Sequence, residues 1–61
     1  MPVIIVESNK ISLDKKREYV KALTKITAEA YDLPESTVTV LIKELKDENI
    51  GVSGQLLSEI E

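Results

Sequence analysis

The chain has 61 residues, a net charge of −3, no cysteine and no histidine, which excludes a disulfide framework and the usual nitrogen ligands of zinc. Two tyrosines without Trp or Phe offer neither the basic field nor the stacking surface that nucleic-acid binding requires. So short a chain is expected to be one domain, residues 1–61, that removes only about 60% of its unfolded surface on folding alone, which leaves self-association to supply the rest.

Met1-Pro2 opens the sequence ahead of the apolar run Val3-Ile4-Ile5-Val6. Loss of Met1 would leave the secondary amine of Pro2 at the mouth of a strand. An α-amino group titrates near ~8, and apolar surroundings disfavour its charged form, which brings it toward neutrality, where a general base works best. While Met1 stays, Pro2 is an amide and serves only as a strand-opening residue whose missing N–H is not needed. Val3 to Glu7 reads as a strand buried on both faces, and Ser8-Asn9-Lys10-Ile11 as a loop. Ser12 is a good N-cap, and apolar residues recur at helical spacing from Leu13 through Val20 and Leu23 to Tyr31. Tyr19 and Tyr31 fall on that stripe and are assigned to the core.

Pro34 is expected to end the helix. Thr37 to Lys43 is dominated by β-branched residues and predicts a second strand, parallel to the first through a right-handed crossover. Residues 44–50 form a charged turn, and Gly51 to Leu57 a small hairpin, with Gly51 and Gly54 supplying positive φ. The fold class is therefore α/β (α+β), a β-α-β subunit with a C-terminal hairpin. Two strands and one helix leave open edges and an uncovered apolar face, so oligomerisation is expected to complete the sheet. Lys15, Lys16 and Arg17 at the helix start, with Glu29 and Asp32 near its end, oppose the macrodipole; a solvated face or a symmetry mate's antiparallel helix accounts for that order. With no apolar run of ~18 residues and no basic leader, a cytoplasmic protein without a membrane partner is expected.

Met1-Pro2 before an apolar strand, Lys15-Lys16 opening the helix, the segment Ser36 to Glu44, and Gly51-Val52-Ser53-Gly54-Gln55-Leu56 together resemble the 4-oxalocrotonate tautomerase family across nearly the whole chain. The resemblance implies β-α-β subunits paired into four-stranded sheets, with three pairs making a homohexamer. It also implies an isomerase, without cofactor or metal, in which the amino-terminal proline moves a proton between carbons of an enol and its keto form. The family's loop arginine, strand arginine and aromatic residue before the hairpin glycine correspond here to Lys10, Thr39 and Ile50. Lys10 offers a point charge in place of a guanidinium fork, Thr39 a hydroxyl, and Ile50 an apolar wall. Lys43 shares the alternation of Thr39 along the strand. The expected site is thus Pro2 as catalytic base, with Lys10, Thr39, Lys43 and Ile50 binding a small-molecule substrate. Without either arginine, a substrate smaller or less charged than a dicarboxylate is expected. Related lyase, hydratase or dehalogenase chemistry on the same amine, and a non-catalytic assembly or small-molecule-binding protein of this fold, remain the alternatives.

Overall fold

A computed structural model describes residues 1–60 of the chain. Strand β1 (Val3–Asn9) runs into helix α1 (Leu13–Tyr31), which returns the chain to β2 (Thr39–Leu45). β1 and β2 pair in parallel, with Val3 opposite Thr39 and Asn9 opposite Leu45. The first strand outlasts its expected end at Glu7 by two polar residues, because Ser8 and Asn9 still find ladder partners in Glu44 and Leu45. The second strand starts later than expected. A 3₁₀ turn at Glu35–Thr37 takes up Thr37, whose hydroxyl donates to the Pro34 carbonyl at 2.7 Å, so a β-branched residue closes a turn instead of opening a strand.

Ser12 caps α1 as its residue type predicts, with extended backbone and a side-chain oxygen accepting from the Lys15 amide at 3.3 Å. The other end is set by Asp32 before Pro34 is reached. Asp32 adopts the left-handed conformation at φ 55°, its amide donates to the Glu29 carbonyl, and the Leu33 amide donates to that of Ala28 at 3.0 Å. These are the two closing bonds of a Schellman turn.

The chain's own core is thin. Ile4, Val6, Val40 and Ile42 face the helix and are half-buried, meeting Val20, Leu23, Thr27 and the buried Ala28. On the opposite sheet face Val3, Ile5 and Leu41 are about half exposed, so the strand expected to be buried on both sides is covered on one. The helix expectation divides in the same way. Val20 and Leu23 turn inward, whereas Tyr19, Ile26 and Tyr31 stand 40%, 64% and 66% exposed, so neither tyrosine belongs to this chain's core.

β3 (Gly51–Val52) and β4 (Gln55–Leu56) form the expected hairpin. Its two-residue turn has positive φ at both Ser53 and Gly54, the arrangement that matches the twist of paired strands. Gly51, expected to share that conformation, does not. The hairpin and its flanking 3₁₀ turns (Asp47–Asn49 and Leu57–Glu59) fasten on each other through the Leu57 amide and Ile50 carbonyl at 2.8 Å. They continue past β2 as an arm, giving a subunit 42 Å long and 14 Å thick. Among the described residues no helix is long and apolar enough to cross a membrane.

Candidate active site

Because β1 and β2 are parallel, their shared polarity divides the candidate residues between two ends of the sheet. At the amino-terminal end, Pro2 is half-buried and its carbonyl accepts a hydrogen bond from the Thr39 amide at 3.0 Å. Thr39 lies opposite Val3, one residue along, with its side chain on the sheet face away from the helix, where it is exposed. Pro2 and Thr39 are therefore neighbours, as a shared site requires. With Met1 attached, the Pro2 nitrogen is an amide, and Met1 itself is 91% exposed.

Lys10 lies past the other end of the seven-residue β1, about 25 Å from Pro2 at ~3.3 Å per residue. Lys43 also sits toward that end, opposite Glu7, with its ammonium 3.6 Å from the Glu7 carboxylate. Alternation places Lys43 and Thr39 on one surface, as expected, but four residues of strand hold them about 13 Å apart. Ile50 is half-buried at the base of the arm, beyond the end of β2. One chain thus brings Thr39 to Pro2 and leaves Lys10, Lys43 and Ile50 at the far end of the sheet.

The far end holds a polar cluster that sequence spacing did not single out. Glu44 reaches across from β2, and its carboxylate accepts from the Lys16 ammonium at 2.8 Å and from the Ile11 amide at 3.3 Å. The Lys16 hydrogen bond, aided by the Ile11 amide, holds the Glu44 carboxyl below its ordinary range. The only advance sign was the crowding of cations at the helix start, which the structure resolves within the chain: Lys16 pairs with Glu44, and Arg17 with Asp14 at 3.1 Å. No partner helix is needed to account for those two charges.

Between the sheet and the first turns of α1, at the same end, a crevice of about 350 Å³ is lined by Val6, Ser8, Asn9, Ile11, Lys15, Tyr19 and Ile42. Among the described residues, no three His, Cys, Asp or Glu side chains are gathered to hold a metal.

A parallel β-α-β unit with a proline before its first strand, a threonine bound beside it and a hairpin arm defines a small class of proteins, and the chain matches the family described as tautomerase enzyme over residues 2–60. It belongs to that family. Its structure is similar to DmpI from Archaeoglobus fulgidus, with 45% identity, a TM-score of 0.89, and coverage of 95% of this chain and 100% of that one. A 4-oxalocrotonate tautomerase homologue superposes with a TM-score of 0.90 at 29% identity, covering 100% and 98% of the two chains. A heterohexameric 4-oxalocrotonate tautomerase from Chloroflexus aurantiacus superposes at 0.88 with 27% identity over the full length of both. No curated protein matches this chain. Membership places it in a family of isomerase-type enzymes.

Proposed function

We propose that this chain is a homo-oligomeric tautomerase whose base is the imino nitrogen of Pro2, exposed by removal of Met1. The observation that carries the reading is the placement of Pro2. It is half-buried at the mouth of β1 and fixed through its carbonyl by the Thr39 amide at 3.0 Å, in a chain whose family is one of tautomerases. The neutral amine takes a proton from an enol or from a carbon α to a carbonyl, and returns it one or more carbons away. Charge then grows on the substrate oxygen and must be met by a cation or by aligned donors in a site screened from water. Thr39 supplies a hydroxyl from the same end of its own chain.

The cation has to come from a second protomer, since Lys10 and Pro2 of one chain are held apart by the length of β1. Antiparallel pairing of two β1 edges would set the amino-terminal end of one strand against the carboxy-terminal end of its partner. That pairing brings the Lys10 loop of one copy to the Pro2 of the other, along with the end bearing Lys43 and Ile50. The same contact would cover Tyr19, which lines the crevice beside β1 residues Val6, Ser8 and Asn9. The solved heterohexamer at 27% identity supports assembly of this fold into hexamers, here as a trimer of dimers.

A lysine and a threonine bind a carboxylate less selectively than two guanidinium forks, so the substrate is a small 2-oxo or enol acid with one carboxylate. The decisive comparison uses phenylenolpyruvate and protein whose first residue is proven to be Pro2. Pro2→Ala should lower turnover on the order of 10²-fold, the lower range for a lost general base; equal rates overturn the mechanism. If intact mass in the native host shows Met1 retained, the nitrogen stays an amide and the fold acts as an assembly or small-molecule-binding unit.

A further inference from the structure

We propose that Glu44 is a positioning residue: by holding the Ile11 amide it fixes the β1–α1 loop and so determines where Lys10 presents its ammonium. This inference rests on the reading of Lys10 as the cation of a shared site.

The loop between Asn9, the last residue of β1, and the cap Ser12 consists of Lys10 and Ile11 alone. Ile11 has left the strand ladder and is exposed, and among the described residues its amide donates to no backbone carbonyl, so only water or a side chain can accept from it; here the acceptor is a side chain. Glu44, 33 residues away along the chain, provides it at 3.3 Å. Its position on β2 makes this possible. Glu44 follows the alternation of Val40 and Ile42, so its side chain rises on the helix face of the sheet, under the loop and the first turn of α1. With one oxygen on the Ile11 amide and the other on Lys16, a single carboxylate ties β2, the loop and the helix together one residue from Lys10.

Two consequences follow for catalysis. A lysine without a planar fork depends on where its backbone starts, and a displacement of about 1 Å in a positioning element costs up to roughly 10²-fold in rate. The second concerns charge. Lys16, bonded to the carboxylate at 2.8 Å, takes up most of its charge, so that Lys10 is drawn to Glu44 less than Lys16 is and is left to meet a substrate anion.

The test uses the assembled protein with Pro2 at its terminus, and compares wild type, Glu44→Ala and Glu44→Gln, each with Lys10 intact and with Lys10→Ala. Exchange of the Ile11 amide, followed by NMR, reads the tether directly. Glu44→Ala should accelerate it roughly tenfold or more, as expected for loss of a hydrogen bond to a charged acceptor, while Glu44→Gln, which keeps an oxygen for Ile11, should change it less. With phenylenolpyruvate, Glu44→Ala should lower kcat/KM about tenfold when Lys10 is present, as loss of positioning implies, and have no further effect in the Lys10→Ala background. If Glu44→Ala does not assemble, Glu44→Met replaces it and keeps the aliphatic stem.

Unchanged Ile11 exchange in Glu44→Ala overturns the proposal, as does an equal loss of kcat/KM with and without Lys10, the mark of a structural role. A Lys10→Ala chain as active as wild type overturns the cation reading and the positioning role together. The exchange measurement then shows whether the tether itself stands.

Discussion

The two ends of the β1–β2 sheet are held by different forces. At the Pro2 end, α1 closes on the strands through Ala28, which is 6% exposed, and the ladder begins with the bond from the Thr39 amide to Pro2. At the Lys10 end the helix is tied by the Lys16–Glu44 pair, whose side chains are 28% and 27% exposed. Packing and backbone pairing fix the proposed base, and both are insensitive to salt and pH. The proposed cation is held by charge, which is open to both. The base is thus placed by contacts that outlast changes of solution, whereas the placement of the proposed cation depends on one ion pair that salt or acid can loosen.

The strongest way to break this contrast is to ask whether the two ends meet between chains. Pro2→Ala and Lys10→Ala chains, each impaired alone, should regain activity when unfolded together and refolded as a mixture. In a two-fold dimer with shared sites about one quarter of the sites would then be intact. No recovery would place base and cation in one chain, against the strand geometry.

Next in size is the packed end itself. Ala28→Leu should cost about 1–3 kcal/mol in urea unfolding, the usual penalty for overpacking a tight contact. Glu44→Gln at the polar end should cost less and lose its effect in high salt. The reverse order would mean that charge, not packing, holds the helix down.

Thr39→Arg sharpens the contrast from the Pro2 end. A guanidinium on that strand should raise kcat/KM for a dicarboxylate over a monocarboxylate about tenfold, through a two-bond clamp. An unchanged ratio would mean that Thr39 does not face substrate.

A smaller gain is expected just past the helix. Asp32 holds a left-handed conformation at φ 55°, and Asp32→Gly should stabilise the fold by about 0.5–1 kcal/mol by removing a Cβ from that position. Thermal unfolding checks it.

The mildest effect is acid. Glu44 has a lowered folded pKa because of Lys16 and the Ile11 amide, so its stabilising contribution is complete above the ordinary glutamate value of about 4.3 and disappears as pH falls through the lower folded one. The stability difference between wild type and Glu44→Gln should therefore be flat near neutrality and shrink in acid. A difference that persists in full below both values would contradict the assignment.

The order strand, helix, strand, hairpin was legible because Ser12, the apolar periodicity and the β-branched run each specify local structure. Errors arose where a residue has two local uses. Thr37 has strand propensity but serves the turn after Pro34, and Ser8 and Asn9 look like loop yet sit in the ladder. Tyr19 and Ile26 belong to an apolar stripe adjacent to the inward one, and helical spacing does not say which stripe meets the chain's own sheet. In the candidate site, the parallel order already implied that Thr39 lies beside Pro2. Alternation put Lys43 on the face of Thr39 without registering the length of strand between them. Glu44 closes the segment that carries the resemblance, but its role was not legible there, since its partners Ile11 and Lys16 lie about thirty residues earlier and meet it only in the folded chain.

One face of the sheet, carrying Val3, Ile5 and Leu41, is left uncovered by the subunit's single helix. If neighbours cover that face, as in the proposed oligomer, the folded population depends on how many copies are present. Specific activity per chain should then fall on dilution and recover on reconcentration, coupling catalytic output to expression level more steeply than in proportion.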